Sequence, residues 1–174
     1  DKDGNVLVGE NRNSGSSTLI HKFSPDGTHL WEKQFSPIPY GAEIRGITAD
    51  LEGNILITGS TASDGWISGG WNITFPGNPG DQTNAFVMKM DAAGTHLWST
   101  YLGSTVGFEE GWDVASDASG NVYACGSLEM GMPQPWVHGG WITSDPDEYA
   151  GGYLIKFDAE GNHLWSTLLH GQVG

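Results

Sequence analysis

The sequence predicts an all-β fold assembled from a repeated unit, and three observations carry that prediction. A tryptophan recurs at a constant interval along the chain, at Trp31, Trp98 and Trp165. The 27 glycines among 174 residues indicate many tight turns, and only 16% of the residues are charged, which is low for a helical protein. Because self-similarity at a fixed period is the signature of repeat architectures, this repeat decides the fold class.

The repeat extends well beyond the tryptophans, because lysine, glycine and histidine recur at the same interval. These sets are Lys22, Lys89 and Lys156; Gly27, Gly94 and Gly161; and His29, His96 and His163. A Gly-Asn pair also precedes each repeat lysine, beginning at Gly4, Gly53 and Gly120, and its separation from the lysine is twice as long in the second and third copies as in the first. Each copy therefore has an ungapped core and one loop, and that loop is longer in the second and third copies.

Each copy is expected to contain four short strands and no helix. In the most complete copy the expected strands are 111–116, 121–126, 152–157 and 163–168. Runs such as 55–57 are continuously apolar, which is typical of strands covered on both faces. Segments that begin with Asp and end with Gly, such as Asp117 to Gly120, are predicted to form tight turns. Antiparallel four-stranded sheets that repeat with both faces covered are the blades of a β-propeller.

We therefore expect a single β-propeller fragment over residues 1–174, with about three repeats that are incomplete at both ends. The repeats are expected at about 1–35, 42–102 and 109–169, and the first is short and lacks its first strand. Propellers close with about four to eight blades. The expected partners are thus the remaining blades of a longer chain or other copies of the same chain.

Two motifs are fairly specific, Ser99-Thr100-Tyr101-Leu102-Gly103 and Asp117-x-x-Gly120-Asn121-Val122-Tyr123. Together with the segment 85–89 they resemble the SBBP repeat, a seven-bladed β-propeller repeat family, and the resemblance covers essentially the whole chain. The long Trp-rich loops and the short first copy depart from the family pattern. The resemblance implies a propeller module of larger bacterial exported or surface proteins, an extracellular or cell-surface location, and no generic catalytic residues.

The charge and the composition exclude several classes of partner. There are 21 acidic and 7 basic side chains, for a formal net charge of −14. Such a surface repels phosphate backbones and anionic headgroups, so we expect no nucleic-acid partner. No run of about 18 apolar residues is present, so we expect no membrane insertion. The single cysteine, Cys125, excludes an intrachain disulfide framework and a cysteine-based zinc site.

The long loops are the first candidate binding region, because they contain near copies of one Trp-rich motif. Trp66 and Trp71 lie in the second copy, and Trp136 and Trp141 lie in the third. Exposed tryptophans between glycines could form flat platforms that stack on sugar rings or other apolar faces. The alternative is that each loop folds over the blade edge and buries its own tryptophan pair.

Acidic residues form the second candidate region. Glu43 and Glu110 share one repeat position, with Glu109 beside the latter, and we expect them in loops on the rim that bears the long loops. Carboxylates there could bind calcium, act as an acid/base pair, or form a solvated acidic rim. The repeat lysines, in contrast, are predicted to pair with turn carboxylates such as Asp50 or Asp117.

Other chemistry is not expected from this sequence. The repeat histidines lie one to a blade, too far apart for zinc, which needs its donors about 2 Å from one point, so we expect no metal site. No motif for a nucleophile elbow, a phosphate loop or a dinucleotide cofactor occurs, so we expect no cofactor, no catalytic residue and no enzymatic activity.

The favoured function is a non-catalytic binding or scaffold module of an exported bacterial protein that contacts a glycan or protein partner. Its expected ligand-binding residues are those of the two candidate regions, Trp66, Trp71, Trp136, Trp141, Glu43 and Glu110. The alternative is a structural subunit that assembles through open blade faces into a larger ring or array.

Overall fold

The computed structural model describes residues 1–12, 17–34, 40–129, 132–144 and 150–170, and these residues form three antiparallel sheets. Blade 1 contains β1 (Val6–Arg12), β2 (Ser17–Phe23) and β3 (His29–Gln34). Blade 2 contains β4 (Ala42–Ala49), β5 (Ile55–Thr61), β6 (Asn84–Met90) and β7 (His96–Leu102). Blade 3 contains β8 (Glu110–Ser116), β9 (Val122–Ser127), β10 (Ala150–Phe157) and β11 (His163–His170). The predicted all-β fold of propeller blades is confirmed.

Within each sheet the strands are neighbours in chain order, and the sheets stack face against face. The first strand of each four-stranded blade covers the preceding blade: β4 packs on β1 and β2, and β8 packs on β4, β5 and β6. Two hydrophobic cores result, one between blades 1 and 2 and one between blades 2 and 3. No helix that could cross a bilayer occurs in the part of the chain that the structure describes.

Each blade has two rims with different connections. The turn rim carries the Asp-to-Gly turns, in which the Asp side chain accepts backbone hydrogen bonds as predicted. Asp50 Oδ1, for example, accepts from the amides of Glu52 at 3.0 Å and Asn54 at 2.8 Å, and Gly53 takes a φ of 90°. The opposite rim, which we call the loop rim, carries the long loops and the links between blades.

The repeat lysines stabilise the turn rim as predicted. Each pairs with the carboxylate that heads the first turn of its own blade, so the prediction of turn-carboxylate partners is confirmed. The pairs are Lys22 with Asp1 at 2.9 Å, Lys89 with Asp50 at 3.1 Å and Lys156 with Asp117 at 3.5 Å. The first two pairs are buried, and burial makes the partner of each charge indispensable.

The repeat tryptophans of blades 1 and 2 pack against the following blade, as expected. The indole Nε1 of Trp98 donates to the carbonyl oxygen of Ala159 at 3.0 Å. Its ring also lies on Gly161, where a Cβ would come within 2.6 Å of the indole. Trp31 lies against Gly94 in the same way, and that glycine would bring a Cβ within 3.4 Å of its ring. At Gly161 a side chain would therefore clash with the indole, whereas at Gly94 the nearest obstacle to a Cβ is the Lys33 side chain, at 2.9 Å.

The long loops lie along the outer edges of the four-stranded blades. In blade 2 the amides of Ser99 and Tyr101 donate to the carbonyls of Ser68 and Asn72, at 2.7 and 2.9 Å. In blade 3 the amides of Ser166 and Leu168 donate to His138 and Ile142, both at 2.8 Å. Both loops therefore cover the hydrogen-bonding edge of the last strand of their blade, as the alternative expectation had it, but they do not bury both of their tryptophans, because Trp141 is 87% exposed.

Candidate functional site

The first tryptophan of each long loop belongs to the blade core. Trp66 is half-buried, lies edge-on to Phe86 with ring centroids 5.0 Å apart, and donates its Nε1 proton to the carbonyl of Ser63 at 3.1 Å. Trp136 is buried against Tyr153, with centroids 5.1 Å apart. Both rings thus pack on aromatic side chains of their own blades, although the sequence named both as ligand-binding candidates.

The second tryptophan of each loop is directed toward the next blade position. Trp71 is half-buried and stacks on His163 of blade 3, with ring centroids 4.5 Å apart. Trp141 holds the corresponding place in blade 3, and 87% of its surface is exposed. Among the four loop tryptophans, Trp141 is thus the one with the most exposed ring.

The acidic pair Glu43 and Glu110 lies in strands, which corrects the expectation that both lie in loops. Glu43 is the second residue of β4, and Glu110 is the first residue of β8. The two strands are neighbours across the interface between blades 2 and 3, and Arg45 joins the two carboxylates. Its Nη2 lies 2.6 Å from Glu110 Oε1 and 3.4 Å from Glu43 Oε2.

Two equivalent β-bulges position the remaining side chains of this site. Arg45 and Trp112 are the extra residues where the registers of β4 with β5 and of β8 with β9 shift, and they occupy the same repeat position in their blades. A bulge redirects its side chain away from the regular alternation. The Arg45 guanidinium consequently lies 4.7 Å from the centre of the Trp112 ring, a cation–π contact. Ser127 Oγ fixes that ring by accepting from its Nε1 at 2.9 Å.

Glu43, Arg45 and Glu110 line a polar pocket of about 180 Å³ at the loop rim, which we call the rim pocket, and Trp112 lies beside it against Arg45. It is lined by Tyr40, Gly41, Ala42, Glu43, Arg45, Ser60, Thr61, Ala62, Thr83 and Glu110. Tyr40 is exposed over 57% of its surface and its ring lies against Gly80. The pocket thus combines two carboxylates, one guanidinium and an exposed aromatic ring.

A buried polar cluster lies next to the rim pocket. Glu109 is completely buried, and burial raises the pKa of its carboxyl to about 7. Its Oε1 accepts from Ser104 Oγ at 3.3 Å and from Gln134 Nε2 at 3.4 Å. Among the described residues, its Oε2 and the side-chain amide of Asn84 have no hydrogen-bond partner. Both lie around Gly103, where a Cβ would be 2.8 Å from Oε2 and 1.9 Å from Asn84 Oδ1.

Sequence reasoning found the two carboxylates of the rim pocket but missed Tyr40, Arg45 and Trp112. One signal was available: Arg45 is one of only seven basic residues, and the repeat places Trp112 at its equivalent position. A cation and an indole at one repeat position on neighbouring blades predict a contact across the blade interface. The bulges that make this contact possible have no signature in the sequence.

The fold and this geometry define the chain as a β-propeller repeat module. The family model of the SBBP beta-propeller repeat matches residues 31–65, which confirms the predicted resemblance over that segment. An uncharacterized WD repeat-containing protein of Acanthamoeba polyphaga mimivirus is 26% identical over 195 residues. That match covers 91% of this chain and 13% of the viral protein, so the chain spans a small part of its relative.

The expectation that the chain is not an enzyme is contradicted by similar solved structures, which are enzymes. Pseudomonas brassicacearum lignostilbene dioxygenase is 17% identical with a TM-score of 0.48, over 97% of this chain and 36% of the dioxygenase. A variant of Synechocystis apocarotenoid oxygenase is 16% identical with a TM-score of 0.45, over 94% of this chain and 34% of the oxygenase. These similarities assign no reaction to this chain.

Proposed function

We propose that this propeller module binds a polyhydroxylated ligand, a glycan, in the rim pocket. The observation that carries the proposal is the joining of Glu43 and Glu110 from two blades by Arg45. Carboxylates accept hydrogen bonds from sugar hydroxyls, and a guanidinium donates to hydroxyl and ring oxygens. Tyr40 and Trp112 add exposed aromatic surface beside these polar groups, of the kind that packs on the apolar face of a sugar ring.

The dimensions of the rim pocket support a short ligand segment. Its volume of about 180 Å³ is below the roughly 300–1,000 Å³ of pockets that enclose drug-sized molecules. One sugar unit inserted from a longer chain, with neighbouring units on the loop rim, fits these dimensions. Such a longer glycan could be free or could be attached to a protein partner.

We place this function in an exported bacterial protein, at the cell surface or outside the cell. Two observations support that context: the match to the SBBP repeat, and a net charge of −14, which favours solubility and disfavours nucleic acid. Fractionation of cells that produce the full-length protein tests it. Recovery of that protein in the cytoplasmic fraction alone would contradict the assignment.

A glycan array followed by calorimetric titration of the best binder tests the binding function. The wild-type chain is expected to bind one class of glycan, and Glu110→Gln and Arg45→Met are each expected to weaken that binding at least tenfold. Trp141→Ser is the matched control, because it removes an exposed ring outside the rim pocket. Absence of glycan binding, or binding that only Trp141→Ser abolishes, would contradict the proposed site.

A second candidate function is assembly through blade faces, and the exposure of Trp141 favours it. Its counterpart Trp71 is covered by blade 3, and Trp98 rests on Gly161 of that blade. On blade 1, the equivalent Gly27 has no described atom within 4 Å of its Cβ position. A second copy of this chain could therefore place its blade 1 against blade 3 and continue the existing interface.

Sedimentation velocity over a range of concentrations tests this assembly. The wild-type chain is expected to self-associate as its concentration rises, and Trp141→Ser is expected to shift the curve back toward the monomer. Trp112→Ser serves as the control, because it removes an exposed indole from the loop rim rather than from the blade face. A wild-type chain that sediments as a monomer at every concentration would exclude assembly between copies.

A further inference from the structure

We propose that blade 1 binds Zn²⁺, or a divalent cation of similar ligand preference, through His21, His29 and Glu32. One ligand atom from each residue can be chosen so that all three lie within 4.8 Å of one another. His21 lies on β2, and the other two lie on β3. Two imidazole nitrogens and a carboxylate oxygen are donors that zinc prefers, and neither a cysteine nor a rearrangement of the sheet is needed to bring them together.

Two of the three separations between the donor atoms are close to those of a tetrahedral site. Zinc binds nitrogen and oxygen at about 2.0–2.2 Å, so two of its tetrahedral donors lie roughly 3.3–3.5 Å apart. His21 Nδ1 lies 3.4 Å from His29 Nε2 and 3.7 Å from Glu32 Oε2. The donor atoms of the third pair, His29 and Glu32, lie within 4.8 Å of each other, and both side chains are exposed and can approach on binding an ion. Three protein donors leave the fourth position for water or another ligand.

The neighbouring carboxylate Glu10 orients His21 for this role. Glu10 Oε2 lies 2.9 Å from His21 Nε2. A carboxylate at that nitrogen holds the proton there, so the lone pair of the neutral ring is on Nδ1, which faces His29 and Glu32. Arg12 in turn fixes Glu10, with contacts of 2.7 and 2.9 Å to its two oxygens. Metal-bound histidines commonly have such a carboxylate partner, and here it is already in place.

Comparison with the other blades shows that these ligands are specific to blade 1. The repeat histidines His96 and His163 instead lie within hydrogen-bond distance of a serine hydroxyl, Ser99 Oγ at 2.9 Å and Ser166 Oγ at 3.0 Å. Those serines occupy the repeat position of Glu32, whereas Met88 and Ile155 occupy that of His21. Across the described ranges, no other group of three such ligands was found.

The position of the site also suits an accessible cation. Blade 1 lacks the extra loop segment that in blades 2 and 3 lies along the last strand. His29 and Glu32 are exposed, while the side chain of His21 is largely buried and in contact with Glu10. The site thus combines one buried donor, on His21, with two solvent-exposed donors, on His29 and Glu32, that can move toward a bound ion.

Isothermal titration calorimetry of the metal-free chain with zinc chloride tests the proposal. His29 occupies the place at which His163 receives Trp71, so a docked second copy would compete for this imidazole. The titrations are therefore made at concentrations at which the chain sediments as a monomer. One zinc ion per chain is expected, and cobalt is expected to give the visible spectrum of a tetrahedral site with nitrogen and oxygen donors.

Variants assign the ion to these residues. His29→Ala and Glu32→Gln alter exposed side chains, so they preserve the fold, and each is expected to weaken zinc binding at least tenfold. Glu10→Gln tests the positioning residue and is expected to weaken binding by about 10–100-fold. His96→Ala, at the matching position of blade 2, is expected to leave binding unchanged. No zinc binding by the wild-type chain, or stoichiometric binding retained in His29→Ala, would overturn the proposal.

Discussion

Blades 2 and 3 have nearly the same sequence plan, yet equivalent side chains in the two blades have very different surroundings. Trp98 is 4% exposed because blade 3 covers it, whereas its equivalent Trp165 is only half-buried. Trp71 stacks on the following blade, whereas Trp141 is 87% exposed. The comparison teaches that the neighbouring blade determines the burial of these tryptophans. Each propeller repeat thus supplies one side of an interface, and the following blade is needed to complete the hydrophobic core.

The largest expected effect compares the two tryptophans of the last strands. Trp98→Ala removes a buried ring and leaves a cavity at the interface of blades 2 and 3, so it is expected to lower the free energy of unfolding by about 3–5 kcal/mol. Trp165→Ala is the matched variant and is expected to cost about 1 kcal/mol. Urea denaturation measures both. Equal losses would mean that the following blade contributes little to the stability of its neighbour.

The lysine pairs provide a second comparison between the blades. The side chains of Lys89 and Asp50 are 4% and 1% exposed, whereas those of Lys156 and Asp117 are 19% and 33% exposed. Lys89→Met leaves a buried carboxylate without its cation and is expected to cost about 3 kcal/mol. Lys156→Met is expected to cost clearly less than Lys89→Met, because solvent screens the remaining charge. Thermal unfolding of the two variants at pH 7 measures both losses of stability. Equal losses would contradict the expectation that the buried pair matters more.

A third comparison concerns Glu109, since the equivalent residue of blade 2 is Ala42. Burial raises the pKa of Glu109 to about 7, above the ordinary value of 4.5. Between these two values the unfolded chain loses the proton while the folded chain keeps it, so stability falls as the pH rises through this window. Glu109→Gln keeps an acceptor for Ser104 and Gln134 and avoids the buried charge.

The Glu109→Gln variant is therefore expected to match the wild-type chain at pH 4 and to exceed its free energy of unfolding by about 2–3 kcal/mol at pH 8. Urea denaturation over this pH range checks the expectation. Glu110→Gln is the control, because that neighbouring carboxylate is partly exposed and paired with Arg45. A gain that does not depend on pH would show that the raised pKa of Glu109 is not its origin.

Periodic features of the sequence were sufficient to predict the blades, the Asp-to-Gly turns and the lysine pairs. Each of these features depends on residues that recur in every copy of the repeat, so the sequence shows the same pattern three times. The positions of Glu43 and Glu110 were likewise visible in the repeat. Their meeting at Arg45 was not, because a β-bulge shifts the register by one residue and leaves no compositional mark.

The remaining features were missed because they break the repeat. Glu109 stands beside a partly exposed acid in the sequence, and only the path of the chain between blades shows that its side chain is buried. The cation ligands of blade 1 combine the periodic His29 with the non-periodic His21 and Glu32. A comparison of repeats emphasises what the copies share, whereas binding chemistry is found where one copy differs.

The long loops along the outer strands have one further consequence, for the way in which such modules avoid aggregation. An exposed strand edge presents free amides and carbonyls that recruit extended segments from other molecules into fibrils. In blades 2 and 3 the amides of Ser99, Tyr101, Ser166 and Leu168 already bond to the loop of the same blade. The addition of a further strand to the outer edge of these blades is thus blocked at these positions. Other blades or other molecules can then pack on the faces of the blades but not extend their sheets.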